Sequence, residues 1–128
     1  MRRLLVTLAL ASAPAAGCGD GETESRSVTV KGGDEVRVAA HEYSFDPGTV
    51  IYEGGGKRAA ITISLDNRGS LAHNLKVFDG DDELGGTPTF PAGREESGTV
   101  ELGPGEYRMV CTVGNHEELG MSGSLEVR

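Results

Sequence analysis

Apolar and polar residues alternate along most of this chain, and the alternation comes in short runs. In "AAITISLDN", Ile61, Ile63, Leu65 and Asn67 fall on one side and Ala60, Thr62, Ser64 and Asp66 on the other. That is the period of two required of a strand with one buried face. Seven further runs have β-prone composition: "SVTV", "EVRVAAHEYSF", "TVIYE", "HNLKVF", "SGTVEL", "EYRMVC" and "GSLEVR". Turn-forming stretches such as "KGGD", "DPG", "EGGGK", "NRGS", "DGDDELGG" and "GPGE" separate them, and the 20 glycines suit so many tight turns. Helical periodicity is missing beyond a single turn in "EELGM". About eight short strands at this spacing predict an all-β Greek-key sandwich or barrel over residues 28–128. Pro104-Gly105 followed by Tyr107 adds the pattern of a tyrosine corner.

Ahead of the first strand the pattern changes. Arg2 and Arg3 precede an apolar run from Leu4 to Ala13, and small residues then lead to Cys18. This is the layout of an export signal, with an apolar run too short to span a bilayer. It resembles a bacterial lipoprotein signal, which implies that residues 1–17 are removed and that Cys18 becomes a lipid-bearing N-terminus; ordinary cleavage and secretion is the alternative. Gly19 to Ser27 contain no apolar residue, so 18–27 read as a lipidated cysteine and a flexible tether. The expected location is the outer face of the cytoplasmic membrane, held through a lipid anchor, or the periplasm. A Cys18–Cys111 disulfide would join this tail to a strand end without pinning any core, so the two cysteines are expected to have separate jobs.

Charge narrows the partners. The formal net charge is −8, and removing a leader that holds Arg2 and Arg3 makes the remainder more acidic still. Nucleic acid is therefore an unfavourable partner, whereas solubility and docking to basic proteins are favoured. The group Asp79, Asp81, Asp82 and Glu83 reads either as a solvated turn or as a docking patch.

The chemistry concentrates near the end of the chain. "CTVGNHEELGM" contains Cys111, His116 and Met121 at a spacing of C-x4-H-x4-M, where the last two strands turn. A fourth donor has to come from upstream. Of the three histidines, His41 falls in the second run among apolar neighbours and reads as a solvent-facing strand residue. His73 directly precedes the "NLKVF" run and is the candidate. Two imidazoles, one thiolate and one thioether form the ligand set of a type 1 copper site, in which sulfur suits Cu(I) and imidazole suits Cu(II).

With those residues in view, positions 28–128 resemble a cupredoxin of the plastocyanin and azurin superfamily. The resemblance is carried by "YSFDPGTVIYEGG", "ITISLDNRGSLAHNLKVFD", "SGTVELGPGEYRMVCTV" and "NHEELGMSGSLEV". It implies one type 1 copper per chain, with His73, Cys111 and His116 as equatorial ligands and Met121 as the axial one. It also implies that Asn74 ties the ligand loop, at Thr112, to the strand holding the first histidine. His73 is then expected to be enclosed and His116 to present its ring edge at the surface, framed by uncharged residues such as Gly114, Leu119 and Gly120. Many relatives with this ligand spacing have Pro-Gly before the second histidine, where this chain has Gly114-Asn115.

An enzyme such as a copper oxidase or nitrite reductase needs a further metal with an open position, built from more histidines than the one left over, His41. A dinuclear electron-transfer centre needs a second cysteine in the loop, and position 115 is Asn. The expected function is a monomeric carrier of single electrons, not an enzyme, between redox proteins such as a cytochrome or a membrane oxidoreductase. The alternative is a copper chaperone or store.

Overall fold

The computed structural model describes residues 25–128 as an all-β protein of ten strands in two sheets. The strands are β1 (Ser27–Lys31), β2 (Val36–His41), β3 (Ser44–Asp46), β4 (Thr49–Glu53), β5 (Ala59–Asn67), β6 (Lys76–Asp79), β7 (Asp82–Gly86), β8 (Glu95–Leu102), β9 (Gly105–Val110) and β10 (Ser122–Val127). One sheet has six strands in the order β1-β4-β10-β9-β6-β7 and the other has four in the order β3-β2-β5-β8. The leader and the tether as far as Glu24, including Cys18, lie outside the described residues.

Period-two patterning explains the packing. Along β5, Ile61, Ile63, Leu65 and Asn67 are all buried, and they meet Val36, Val38 and Ala40 of β2, which pairs with β5 in parallel. From the facing sheet come Val50, Tyr52, Val77, Met109 and Leu125. Each fully buried aliphatic side chain of this kind contributes about 1.5–3 kcal/mol relative to exposure. The tyrosine corner is present: the Tyr107 hydroxyl donates to the Gly103 carbonyl at 2.8 Å and pins the entry to β9.

Two strands differ from the sequence pattern. "EVRVAAHEYSF" is not one strand but two, because Glu42 and Tyr43 form a tight turn in which His41 pairs with Ser44. Tyr43 holds φ 63 there, a left-handed value unusual for a side chain with a Cβ. Within "DGDDELGG", where a break is expected, β7 forms by pairing with β6 across a bulge at Val77 and Phe78. Its glycines permit close approach rather than a turn: a Cβ on Gly98 of β8 would lie 1.9 Å from the Gly86 carbonyl oxygen.

Strand directions bring three connections to one end of the sandwich. The β2–β3 turn, the β5–β6 loop and the β9–β10 loop are neighbours because Ala40 pairs with Asn67 and Val110 pairs with both Lys76 and Ser122. Asp79, Asp81, Asp82 and Glu83 are exposed on the β6–β7 hairpin, at the end of β6 away from this cluster.

Candidate metal centre

Cys111 follows β9 directly and is fully buried. Its amide donates to the Met121 carbonyl at 3.1 Å, so the β9–β10 loop closes on itself as the strands separate. Inside the loop the His116 amide donates to the Val113 carbonyl at 3.0 Å and the Met121 amide to the His116 carbonyl at 3.0 Å. The fold-back passes through Gly114 at φ 48, a value glycine adopts without cost, and needs no proline before the histidine. Arg108 on β9 pairs with Glu117 and fastens the outside of the loop.

His73 arrives from the β5–β6 loop, held by an isolated bridge in which its amide and carbonyl exchange hydrogen bonds with Phe90 at 3.2 and 3.1 Å. Asn74 joins the two segments. Its Nδ2 donates to Thr112 Oγ1 at 2.8 Å and to Thr89 Oγ1 at 2.9 Å, while its Oδ1 accepts from the Thr112 amide at 2.9 Å. The two chain segments therefore cannot drift apart without breaking these partly buried hydrogen bonds.

Three donor atoms converge. His73 Nδ1 and His116 Nδ1 are 3.2 Å apart, and Cys111 Sγ lies 3.9 Å from the first and 3.6 Å from the second. Among the described residues, these are the His, Cys, Asp and Glu side chains that meet closely enough to hold a metal ion. Met121 is fully buried in the same loop, and His41 is exposed at the end of β2, outside the cluster. His73 is completely enclosed, whereas His116 keeps 8% of its surface accessible. Leu119 and Gly114 are exposed in the same loop, but so are Glu117 and Glu118, so the rim beside His116 is mixed rather than uncharged.

Burial is the main reason that the His73 pKa falls below its usual value, with the neighbouring His116 acting in the same direction. A neutral imidazole is the form that binds a metal. The donor set fits copper on its own chemistry: a sulfur and two imidazole nitrogens, all buried, satisfy both Cu(I) and Cu(II).

Sequence patterning did not reveal two neighbours of the cluster, both from the β2–β3 turn. Glu42 Oε1 lies 3.4 Å from His73 Nε2 and accepts from the Ser70 and Leu71 amides at 2.6 and 3.0 Å. The Tyr43 ring packs edge-on against His116, with centroids 5.2 Å apart.

No family model matches the chain, and a search of curated proteins finds no match. Solved structures do match. Reduced auracyanin from Roseiflexus castenholzii superposes with a TM-score of 0.63 at 18% identity, covering 76% of this chain and 98% of that one. Rusticyanin from Thiobacillus ferrooxidans gives 0.60 at 22%, covering 78% and 82%. Auracyanin A of Chloroflexus aurantiacus, described as a "blue" copper protein, gives 0.60 at 18%, covering 80% and 100%. With two sheets, a loop cluster at one end and these structural neighbours, the chain has the cupredoxin fold.

Proposed function

We propose that the protein is a type 1 copper protein that carries single electrons between redox partners. The observation that supports this most is the convergence of His73 Nδ1, Cys111 Sγ and His116 Nδ1 in a buried pocket. Copper, when bound, supplies the one-electron couple. His73, Cys111 and His116 would hold it, with Met121 of the same loop as a further sulfur donor. The Asn74–Thr112 clip ties the two ligand segments together and would limit their rearrangement when the charge on the site changes. His116 would offer the route to a partner, since of the two candidate ligand histidines it is the one that keeps any accessible surface.

An electron is the substrate in this reading, and no bond is made or broken on a second molecule. Partners are redox proteins, such as a cytochrome or a membrane oxidoreductase, that dock on the His116 end. A chaperone holding the same ions would instead pass its metal on. Stopped-flow oxidation by a cytochrome and Cu(I) transfer to a competing metal-free protein, measured on one preparation, separate the two. Electron exchange is expected to be fast and metal transfer slow; the reverse pattern would overturn the carrier reading.

The export reading belongs to this proposal too. A lipid on Cys18 would hold the domain at the outer face of the membrane through the 18–27 tether. Cys18→Ser is then expected to move the protein from the membrane fraction to the soluble one and leave the visible spectrum unchanged. A wild-type protein that is already soluble after export, with a mature mass that lacks acyl chains, would remove the anchor.

A further inference from the structure

The β2–β3 turn touches both candidate histidine ligands, and nothing in the ligand set explains why. Glu42 reaches the far nitrogen of His73, and Tyr43 covers the ring of His116. The turn is strained at Tyr43, whose φ of 63 would suit glycine or asparagine better, so its packing on His116 holds a conformation that the backbone alone disfavours. The β5–β6 loop is shaped around Glu42 as well. The Ser70 and Leu71 amides both donate to Oε1, and a Cβ on Gly69 would fall 2.4 Å from that oxygen and 3.0 Å from His73 Nε2. Two backbone N–H groups aimed at one oxygen favour the charged carboxylate form of Glu42.

Resting on the copper reading above, we propose that Glu42 is a positioning residue for the centre: its carboxylate holds the Nε2–H of His73, leaves Nδ1 as the metal-facing lone pair, and biases the site toward Cu(II).

The chemistry runs through the imidazole. A neutral histidine carries one ring proton, and a carboxylate beside Nε2 favours the tautomer with the proton there. Nδ1 then points its lone pair at Cys111 Sγ and His116 Nδ1, which lie 3.9 and 3.2 Å away. The 3.4 Å contact is long for a hydrogen bond, but a negative charge at that range acts on the ring whether or not the bond shortens. An imidazole whose outer N–H faces a carboxylate is a stronger donor, and stronger donation stabilises the more highly charged ion. The same carboxylate is 36% exposed, so water tempers its effect without removing it.

Glu42→Gln separates charge from architecture. Glutamine keeps an acceptor oxygen for the Ser70 and Leu71 amides and loses the charge. The copper-loaded variant is expected to retain its visible absorption band. Its affinity for Cu(I) relative to Cu(II), measured by chelator competition in each state, should rise about tenfold, in line with mutations of groups behind metal ligands. For a one-electron couple, that is an increase of about 59 mV in reduction potential. Metal-free protein supplies a second readout: ¹⁵N NMR should show His73 as the Nε2–H tautomer in wild type and as a mixture in Glu42→Ala. If the affinity ratio in Glu42→Gln stays at the wild-type value, or if the tautomer is the same in wild type and Glu42→Ala, the proposal is overturned. Failure of the copper reading looks different, because wild-type protein would then develop no intense band with Cu(II), while the tautomer measurement still tests Glu42 on its own.

Discussion

Cys111→Ala is expected to erase the intense visible colour of the copper-loaded protein and to weaken copper binding by two orders of magnitude or more, on the order of the largest losses seen when a group around a metal is removed. The colour would come from charge moving from thiolate sulfur to Cu(II), and among the described residues Cys111 is the cysteine that could supply it, with Sγ 3.6 Å from His116 Nδ1. The fold should survive the change. Cys111 is a small buried side chain at the end of β9, and the Asn74–Thr112 hydrogen bonds that tie the loop down do not involve its sulfur. Absorption spectra and thermal unfolding of the metal-free variant, recorded together, check both parts. Zinc-loaded wild type is the control: it should fill the same ligands and remain colourless, since Zn²⁺ has no redox chemistry. An intense band that persists in Cys111→Ala would remove the type 1 assignment.

The second large effect is kinetic. Leu119→Lys is expected to slow electron exchange with a protein partner by about 10- to 1000-fold, the range over which surface charge alters association, while the copper spectrum stays the same. Leu119 is 49% exposed in the loop that presents His116, and its side chain is free to meet a partner. A lysine there must be desolvated before a partner can approach the His116 edge. The ligand loop is held from elsewhere, by the Leu119 amide to the Asn115 carbonyl at 3.2 Å and by Arg108 to Glu117, so the metal end should not rearrange. Stopped-flow rates at several ionic strengths give the measurement. An unchanged rate would show that partners dock elsewhere, and the acidic β6–β7 hairpin would be the next surface to mutate.

Patterning in the sequence exposed the scaffold wherever one strand face is buried. The alternation in "AAITISLDN" gives the register of β5 because its two faces differ, with the core on one side and polar, partly exposed residues such as Thr62 and Asp66 on the other. It was silent where tertiary contacts decide. "DELGG" has almost no β-forming residue, and becomes β7 because β6 offers an edge and because Gly86 can lie against Gly98. Glu42-Tyr43 is a turn without glycine, proline or asparagine, kept in shape by what it touches rather than by its own propensity. The metal centre divides in the same way. Cys111, His116 and Met121 announce themselves by lying in one loop, whereas the role of Asn74 comes only from the resemblance to cupredoxins. Glu42 reaches His73 across 31 positions, a separation at which sequence carries no periodic signal.

The position of β10 has a consequence for how the site comes into being. This strand lies between β4 and β9, paired in parallel with the first and antiparallel with the second, and it closes the loop that contains Cys111, His116 and Met121. A chain made from its N-terminus presents His73 early, but the thiol stays unsheltered until β10 has inserted into the middle of the six-stranded sheet. On the copper reading, the loop donors are therefore complete only once β10 is in place. A chain that ends before Ser122 would lack the strand that closes this loop over Cys111, which the finished fold buries completely.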